Sequence, residues 1–156
     1  MKNIAYVNSQ IGIFEIIEED GFIIGLDYFG KGKMPQWETT STVLLKAVSQ
    51  LGEYFKKERK TFNLPLKLEG TDFQKKCWNA LLEIPYGEVC SYEDIAERVG
   101  NKKAVRAVGG ANHNNPVAII VPCHRVIGKD GSLTGYGGGL DVKEFLLKLE
   151  GYSVKG

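Results

Sequence analysis

Two early segments, Ile11–Glu19 and Phe22–Phe29, mix β-branched and aromatic residues with polar ones and flank Asp20-Gly21. A period near two marks half-buried strands, and Asp-Gly between them favours a tight hairpin. The period then changes. Between Thr42 and Lys60 the apolar residues Val43, Leu44, Ala47, Val48, Leu51, Tyr54 and Phe55 recur at helical spacing, which predicts an amphipathic helix. Lys56, Lys57, Arg59 and Lys60 would fill its last turn, where cations face the negative end of the helix dipole.

Residues 61–70 read as a connection, and helix punctuation dominates after it. Thr71 and Gln74 form a capping box before Phe73–Leu82, which Pro85 and Gly87 end. Ser91 opens Tyr92–Val99, closed by Gly100; Asn101 caps Lys102–Ala111; Asp141 with Glu144 opens Val142–Glu150, closed by Gly151. The apolar run Pro116–Val121 predicts a buried strand bent at Pro122. The whole predicts an α/β (α+β) chain. A small N-terminal sheet with a helix, residues 1–66, precedes a mainly helical domain, residues 67–156, containing a helix-turn-helix at Gly100-Asn101.

The second helix of that pair has two unlike faces. Ala104, Val105, Val108 and Ala111 form a core stripe, while Lys102, Lys103, Arg106, Ala107, Gly109 and Gly110 lie opposite. Each glycine costs roughly 1 kcal/mol in a helix relative to alanine. A helix built only to be solvated has no use for two. Cations on a face of almost no bulk suit close approach to a nucleic-acid groove; an ordinary packed helix pair is the plainer alternative.

Composition narrows the class. The 156 residues are 43% hydrophobic and 25% charged, as in a globular protein. MKNIAYVNSQ lacks an apolar signal core, and no apolar run approaches the roughly 20 residues that span a bilayer; a cytoplasmic protein with no membrane partner is expected. Cys77, Cys90 and Cys123 are odd in number and irregularly spaced, which argues for reduced thiols. No C-x-x-C or H-x-x-x-H occurs, so no metal site is expected. Net charge is only +1, yet no acidic residue falls between Glu97 and Asp130, where Arg98, Lys102, Lys103, Arg106, Arg125 and Lys129 lie. That segment is a local footprint for a polyanion.

The remaining chemistry sits at Cys123-His124-Arg125. A thiol is activated by a nearby imidazole or cation. Adjacent side chains point apart in regular structure, so Cys123 and His124 need a sharp turn or a bridging water. Glu150 is the remote carboxylate best suited to hold the His124 tautomer.

These residues carry a resemblance. "PCHRV" at 122–126, preceded by "RAVGGA" at 106–111 and "NP" at 115–116 and followed by "GYGGGLDVKEFLLKLEG" at 135–151, resembles the methylated-DNA–protein-cysteine methyltransferases. The likeness covers about residues 71–151; the N-terminal region matches only in layout. It implies direct, irreversible, single-turnover transfer of a methyl or alkyl group from O6-alkylguanine (O4-alkylthymine being a further candidate) in double-stranded DNA to Cys123, with the base flipped from the minor groove and no cofactor. His124 would relay the proton through water, Glu150 would orient His124, Asn115 would brace the turn, and Tyr92 would donate to the flipped base. Arg106 would fill the gap left in the duplex. Arg125, Val126, Tyr136, Gly137 and Lys143 would join the substrate and DNA contacts with Lys102, Lys103, Ala107, Gly109 and Gly110. A monomer is expected.

Two positions depart from the family pattern. Gly137 stands where many members have Ser or Ala, and Ala118 replaces a proline of the human-type protein, so reaction with benzyl-type free bases should be weaker than with methylated DNA. Two other readings remain open: a non-catalytic DNA binder and a thiol hydrolase. The adduct separates them, since only an acceptor keeps the methyl group.

Overall fold

In the computed structural model, which describes residues Met1–Val154, the chain falls into two units, Met1–Leu68 and a second that begins at Glu69. The first is an antiparallel sheet of β1 (Lys2–Ser9), β2 (Gly12–Glu19) and β3 (Phe22–Gly30), in that order. Asp20 and Gly21 both have positive φ, 54° and 85°, the geometry of a type I′ hairpin turn. The register Ala5↔Ile16↔Leu26 puts these three side chains on one face. Helix α1 (Thr42–Phe55) packs against that face with Leu44, Ala47, Leu51 and Tyr54 buried. Leu66 bridges to Ile23 in parallel, adding a short pairing beside β3.

Two details differ from the sequence pattern. Strand β1 carried no clear signal, because small Ala5 and the polar Asn3, Asn8 and Ser9 dilute its alternation. Helix α1 stops at Phe55, and Lys57 turns into the left-handed region at φ 63°. The basic run therefore lies beyond the helix rather than in its last turn.

In the second unit, α2 (Asp72–Leu81), α3 (Tyr92–Arg98) and α4 (Val105–His113) pack on one another. Thr71 with Gln74 and Ser91 with Asp94 form reciprocal capping boxes for α2 and α3. Trp78 Nε1 donates to the Ala111 carbonyl at 2.8 Å, tying α2 to α4 inside a core that includes Leu81, Ile95, Ala96 and Val108. Asn101 does not cap α4 itself. Its Oδ1 accepts from the Lys103 N–H, and the helix starts two residues later, running to His113. Short strands β4 (Cys90–Ser91) and β5 (Val126–Ile127) pair in parallel, and α5 (Leu140–Leu149) closes the chain. Gly139 precedes α5 without a side-chain cap, so Asp141 is inside that helix. Among the described residues, no helix is long and apolar enough to cross a membrane.

Candidate active site and helix surface

The apolar run before Cys123 is not a strand. Residues 117–121 wind through tight turns: Val121 N donates to Val117 O at 3.0 Å and Ile120 N to Ala118 O at 2.8 Å. Ile119 sits at φ 70°, an outlier for a β-branched residue. Asn115 spans the turn from inside, its Oδ1 accepting from Val117 N at 3.0 Å and its Nδ2 donating to Val121 O at 2.7 Å. A single 3₁₀ turn, Cys123–Arg125, follows Pro122. Asn112, at the end of α4, donates to the Cys123 carbonyl at 3.3 Å.

That 3₁₀ turn directs three consecutive side chains to different tasks. His124 is fully buried, with Nε2 2.7 Å from Glu150 Oε2. A carboxylate only accepts, so Nε2 carries the hydrogen and Nδ1 carries the lone pair. Nδ1 is buried and bonded to no described protein group, Cys123 included. Arg125 turns to the same carboxylate, giving Nε to Oε1 at 2.8 Å, Nη2 to Oε2 at 3.0 Å and Nη1 to Ile84 O at 2.6 Å. The Gly87 N–H adds a long contact of 3.4 Å to Oε1.

The charge states follow from burial and partners. Burial alone would raise the Glu150 carboxyl, but His124 and the permanent Arg125 cation outweigh it and hold Glu150 far below the usual carboxylate range. Burial lowers His124 below 6.5 although Glu150 opposes the shift, so the imidazole stays neutral at neutral pH. Burial pushes the Cys123 thiol up; hydrogen bonds to Asn115 and Tyr136 and the charge of Lys143 oppose this without cancelling it. Lys143, fully buried, is lowered to about 8 by desolvation. Its Nζ donates to the carbonyls of Val126 at 2.6 Å and Thr134 at 2.8 Å.

The pairing of β4 with β5 brings Tyr92, first residue of α3, to this cluster. Lys143 Nζ lies 6.0 Å from the Tyr92 ring centroid. The Tyr92 hydroxyl donates to Thr134 O at 3.3 Å and accepts from Thr134 Oγ1 at 3.0 Å. Tyr136 is half-buried and Gly137 exposed.

The structure thus brings together Cys123, His124, Glu150, Asn115, Tyr92, Tyr136 and Lys143. It corrects one expectation. Arg125, expected among the substrate and DNA contacts, is 7% exposed and spends its guanidinium on Glu150 and Ile84. Val126 and Lys143, also expected among the substrate and DNA contacts, are buried within this cluster, where Lys143 donates to one lone pair of the Val126 carbonyl. An arginine inside a run of buried residues needs a buried anion, a signal that was present in the sequence. Asn112 and Thr134 had no such signal.

Away from this cluster, Lys102, Lys103, Arg106, Ala107 and Gly110 are exposed and Gly109 is half-buried. A Cβ built on Gly109 or Gly110 would meet nothing within 4 Å, so neither glycine is required by packing. Lys103 and Arg106 make no ion pair among the described residues, whereas Lys102 is 4.0 Å from Glu97 and Arg98 is 3.2 Å from Glu83.

Family models of the 6-O-methylguanine DNA methyltransferase match the chain in two parts. The ribonuclease-like domain matches residues 3–68 and the DNA binding domain residues 72–152. A methylated-DNA–protein-cysteine methyltransferase of Methanosarcina acetivorans is 57% identical over 134 residues, covering 81% of this chain and 86% of the relative. The constitutive one of Bacillus subtilis is 59% identical over 113 residues, covering 72% and 68%. The Mycobacterium tuberculosis O6-methylguanine methyltransferase has a similar structure, with TM-score 0.84, 44% identity and coverage of 96% and 93%. Mycobacterium tuberculosis OGT in complex with DNA gives TM-score 0.84 at 46% identity, covering 94% and 91%.

Proposed function

The chain belongs to the 6-O-methylguanine DNA methyltransferase family, and from that membership we propose that it repairs O6-alkylguanine in double-stranded DNA with Cys123 as the acceptor. Direct alkyl transfer and DNA binding come with the family.

The Cys123 thiol gives its proton through a bridging water to His124 Nδ1, and Glu150 stabilises the imidazolium that forms. The thiolate attacks the alkyl carbon in line, the S–C bond forms, and the C–O bond breaks with its electron pair passing to the purine. Tyr92 donates to the purine as negative charge develops, the imidazolium releases its proton to water, and a proton taken up from solvent leaves neutral guanine. The alkyl donor is the damaged base itself, so the step consumes no cofactor. A thioether has no easy route back to a thiol, so each chain reacts once.

An O6-alkyl carbon inside a duplex cannot be met in line by a thiol that is 5% exposed, so the base leaves the stack. Helix α4 enters the minor groove with its small-residue face, Lys102 and Lys103 meet phosphates, and Arg106 fills the gap. Unstacking costs a few kcal/mol, which these contacts offset.

The observation that carries the reading is the His124 geometry. Nε2 is held by an anionic Glu150 at 2.7 Å while Nδ1, without a hydrogen-bond partner among the described residues, keeps its lone pair. The experiment is to incubate the protein with duplex DNA containing O6-methylguanine and map the adduct by peptide mass. One methyl group per chain at Cys123, absent in Cys123→Ser, supports the assignment. A methyl group on Cys77 or Cys90, or turnover without any adduct, refutes it.

A further inference from the structure

Thr134 lies in the segment between β5 and α5, outside the motifs described above. It makes three contacts with the site. Its hydroxyl donates to the Tyr92 oxygen at 3.0 Å, its carbonyl accepts from the Tyr92 hydroxyl at 3.3 Å, and the same carbonyl accepts from Lys143 Nζ at 2.8 Å. Tyr92 has a single proton to give, and in this structure it goes to Thr134.

We propose that Thr134 is a positioning residue for alkyl transfer: its hydroxyl feeds a hydrogen bond into the Tyr92 oxygen while the Tyr92 proton moves from the Thr134 carbonyl to the departing purine. The proposal rests on the reading of Tyr92 as the donor to the base. The exchange is inexpensive because the carbonyl has two lone pairs and retains Lys143 as a donor, so nothing polar is orphaned. The Thr134 hydroxyl remains on the Tyr92 oxygen throughout. As the phenol shares its proton with the purine, its oxygen gains negative charge, and a donor aimed at that oxygen strengthens the next bond in the chain. Thr134 is exposed in the free protein, where water competes for these bonds. Bound DNA excludes that water and strengthens them. The contribution therefore belongs to the reaction, with little of it in folding.

A plain latch gives the opposite sign. If Thr134 only held Tyr92 back, removing its hydroxyl would release the phenol and speed transfer.

The test is single-turnover alkyl transfer at saturating O6-methylguanine duplex for wild type, Thr134→Val, Thr134→Ser, Tyr92→Phe and the double variant Thr134→Val/Tyr92→Phe, with DNA affinity and melting temperature measured alongside. Thr134→Val keeps the branched shape and the backbone carbonyl. It should slow transfer by about 3- to 10-fold, the worth of one hydrogen bond, with affinity and melting temperature unchanged. Thr134→Ser should recover most of the loss, and the double variant should be no slower than Tyr92→Phe alone. A wild-type or faster rate in Thr134→Val overturns the proposal and leaves Tyr92 as donor. So does a slowing that persists in full without the Tyr92 hydroxyl, since that marks a structural effect. If Tyr92→Phe reacts at the wild-type rate, the reading of Tyr92 falls and the proposal falls with it.

Discussion

Arg125 and Lys143 are two buried cations, and they are held differently. Arg125 has an anion, Glu150, in a two-pronged pair; Lys143 donates to the carbonyls of Val126 and Thr134. Removing one half of a buried pair leaves an uncompensated charge, which costs about 3–5 kcal/mol. Glu150→Gln should therefore destabilise the protein by that order in urea unfolding. Adding Arg125→Met should recover much of the stability without restoring transfer, because His124 still lacks its anion. Recovery of the rate by Arg125→Met would show that Glu150 serves only to neutralise Arg125. Proton linkage has a definite sign here. His124 and Glu150 both titrate lower in the folded chain than their ordinary values of 6.5 and 4.5. The unfolded chain thus binds protons that the folded chain refuses, and stability falls as pH falls. The loss should begin below pH 6.5 for His124 and steepen below pH 4.5 for Glu150. A His124 imidazole titrating above 6.5 by NMR would contradict this. The transfer rate, which needs a neutral imidazole, should hold its plateau to below pH 6.5 for the same reason.

Helix α4 and the turn after it show where local sequence is informative and where it is not. Thr71 and Ser91 were legible as caps because a capping box closes over a few neighbouring residues. The pairing of His124 and Arg125 with Glu150 spans 26 and 25 residues, and no local pattern encodes it; the need of His124 for an anion points to Glu150, whereas Arg125 reads as a DNA contact from its place in a basic segment. The stretch before Cys123 read as a strand because Ile and Val prefer extended backbone, yet Asn115 forces a turn that puts Ile119 in the left-handed region. That conformation costs a non-glycine residue about 1–2 kcal/mol. Ile119→Ala should destabilise by about 2–5 kcal/mol for the lost buried side chain. Ile119→Gly should cost no more than Ile119→Ala, reversing the usual order in which glycine is worse. Thermal unfolding of the two variants checks it, and glycine clearly below alanine would remove the strain argument. In α4, the open space around Gly110 makes Gly110→Ala sterically free. The variant should gain up to about 1 kcal/mol of stability from helix propensity while binding duplex DNA more weakly, since its new methyl group projects from the exposed face. Equal or tighter binding would take that face out of the interface.

At the scale of the whole molecule, net charge and local charge make different forecasts for DNA binding. The chain carries only +1, so its overall field attracts a polyanion feebly. The exposed cations at the start of α4 are Lys102, Lys103 and Arg106, and Arg125 is withdrawn from that set by its burial against Glu150. If Lys102 and Lys103 meet phosphates while Arg106 enters the duplex, binding releases about two counterions, and log K should fall with log salt at a slope of roughly −2. Lys103→Ala and Lys46→Ala separate the two pictures, because each removes one positive charge from an exposed lysine, the first beside α4 and the second on α1. Under control by net charge the two variants weaken binding equally. Under local contact Lys103→Ala flattens the slope by about one unit, whereas Lys46→Ala leaves it as in wild type. Fluorescence anisotropy with an unmodified duplex over a salt series measures the slope without the transfer reaction intervening. Equal shifts in the two variants would refer the affinity to the overall field and detach α4 from the groove.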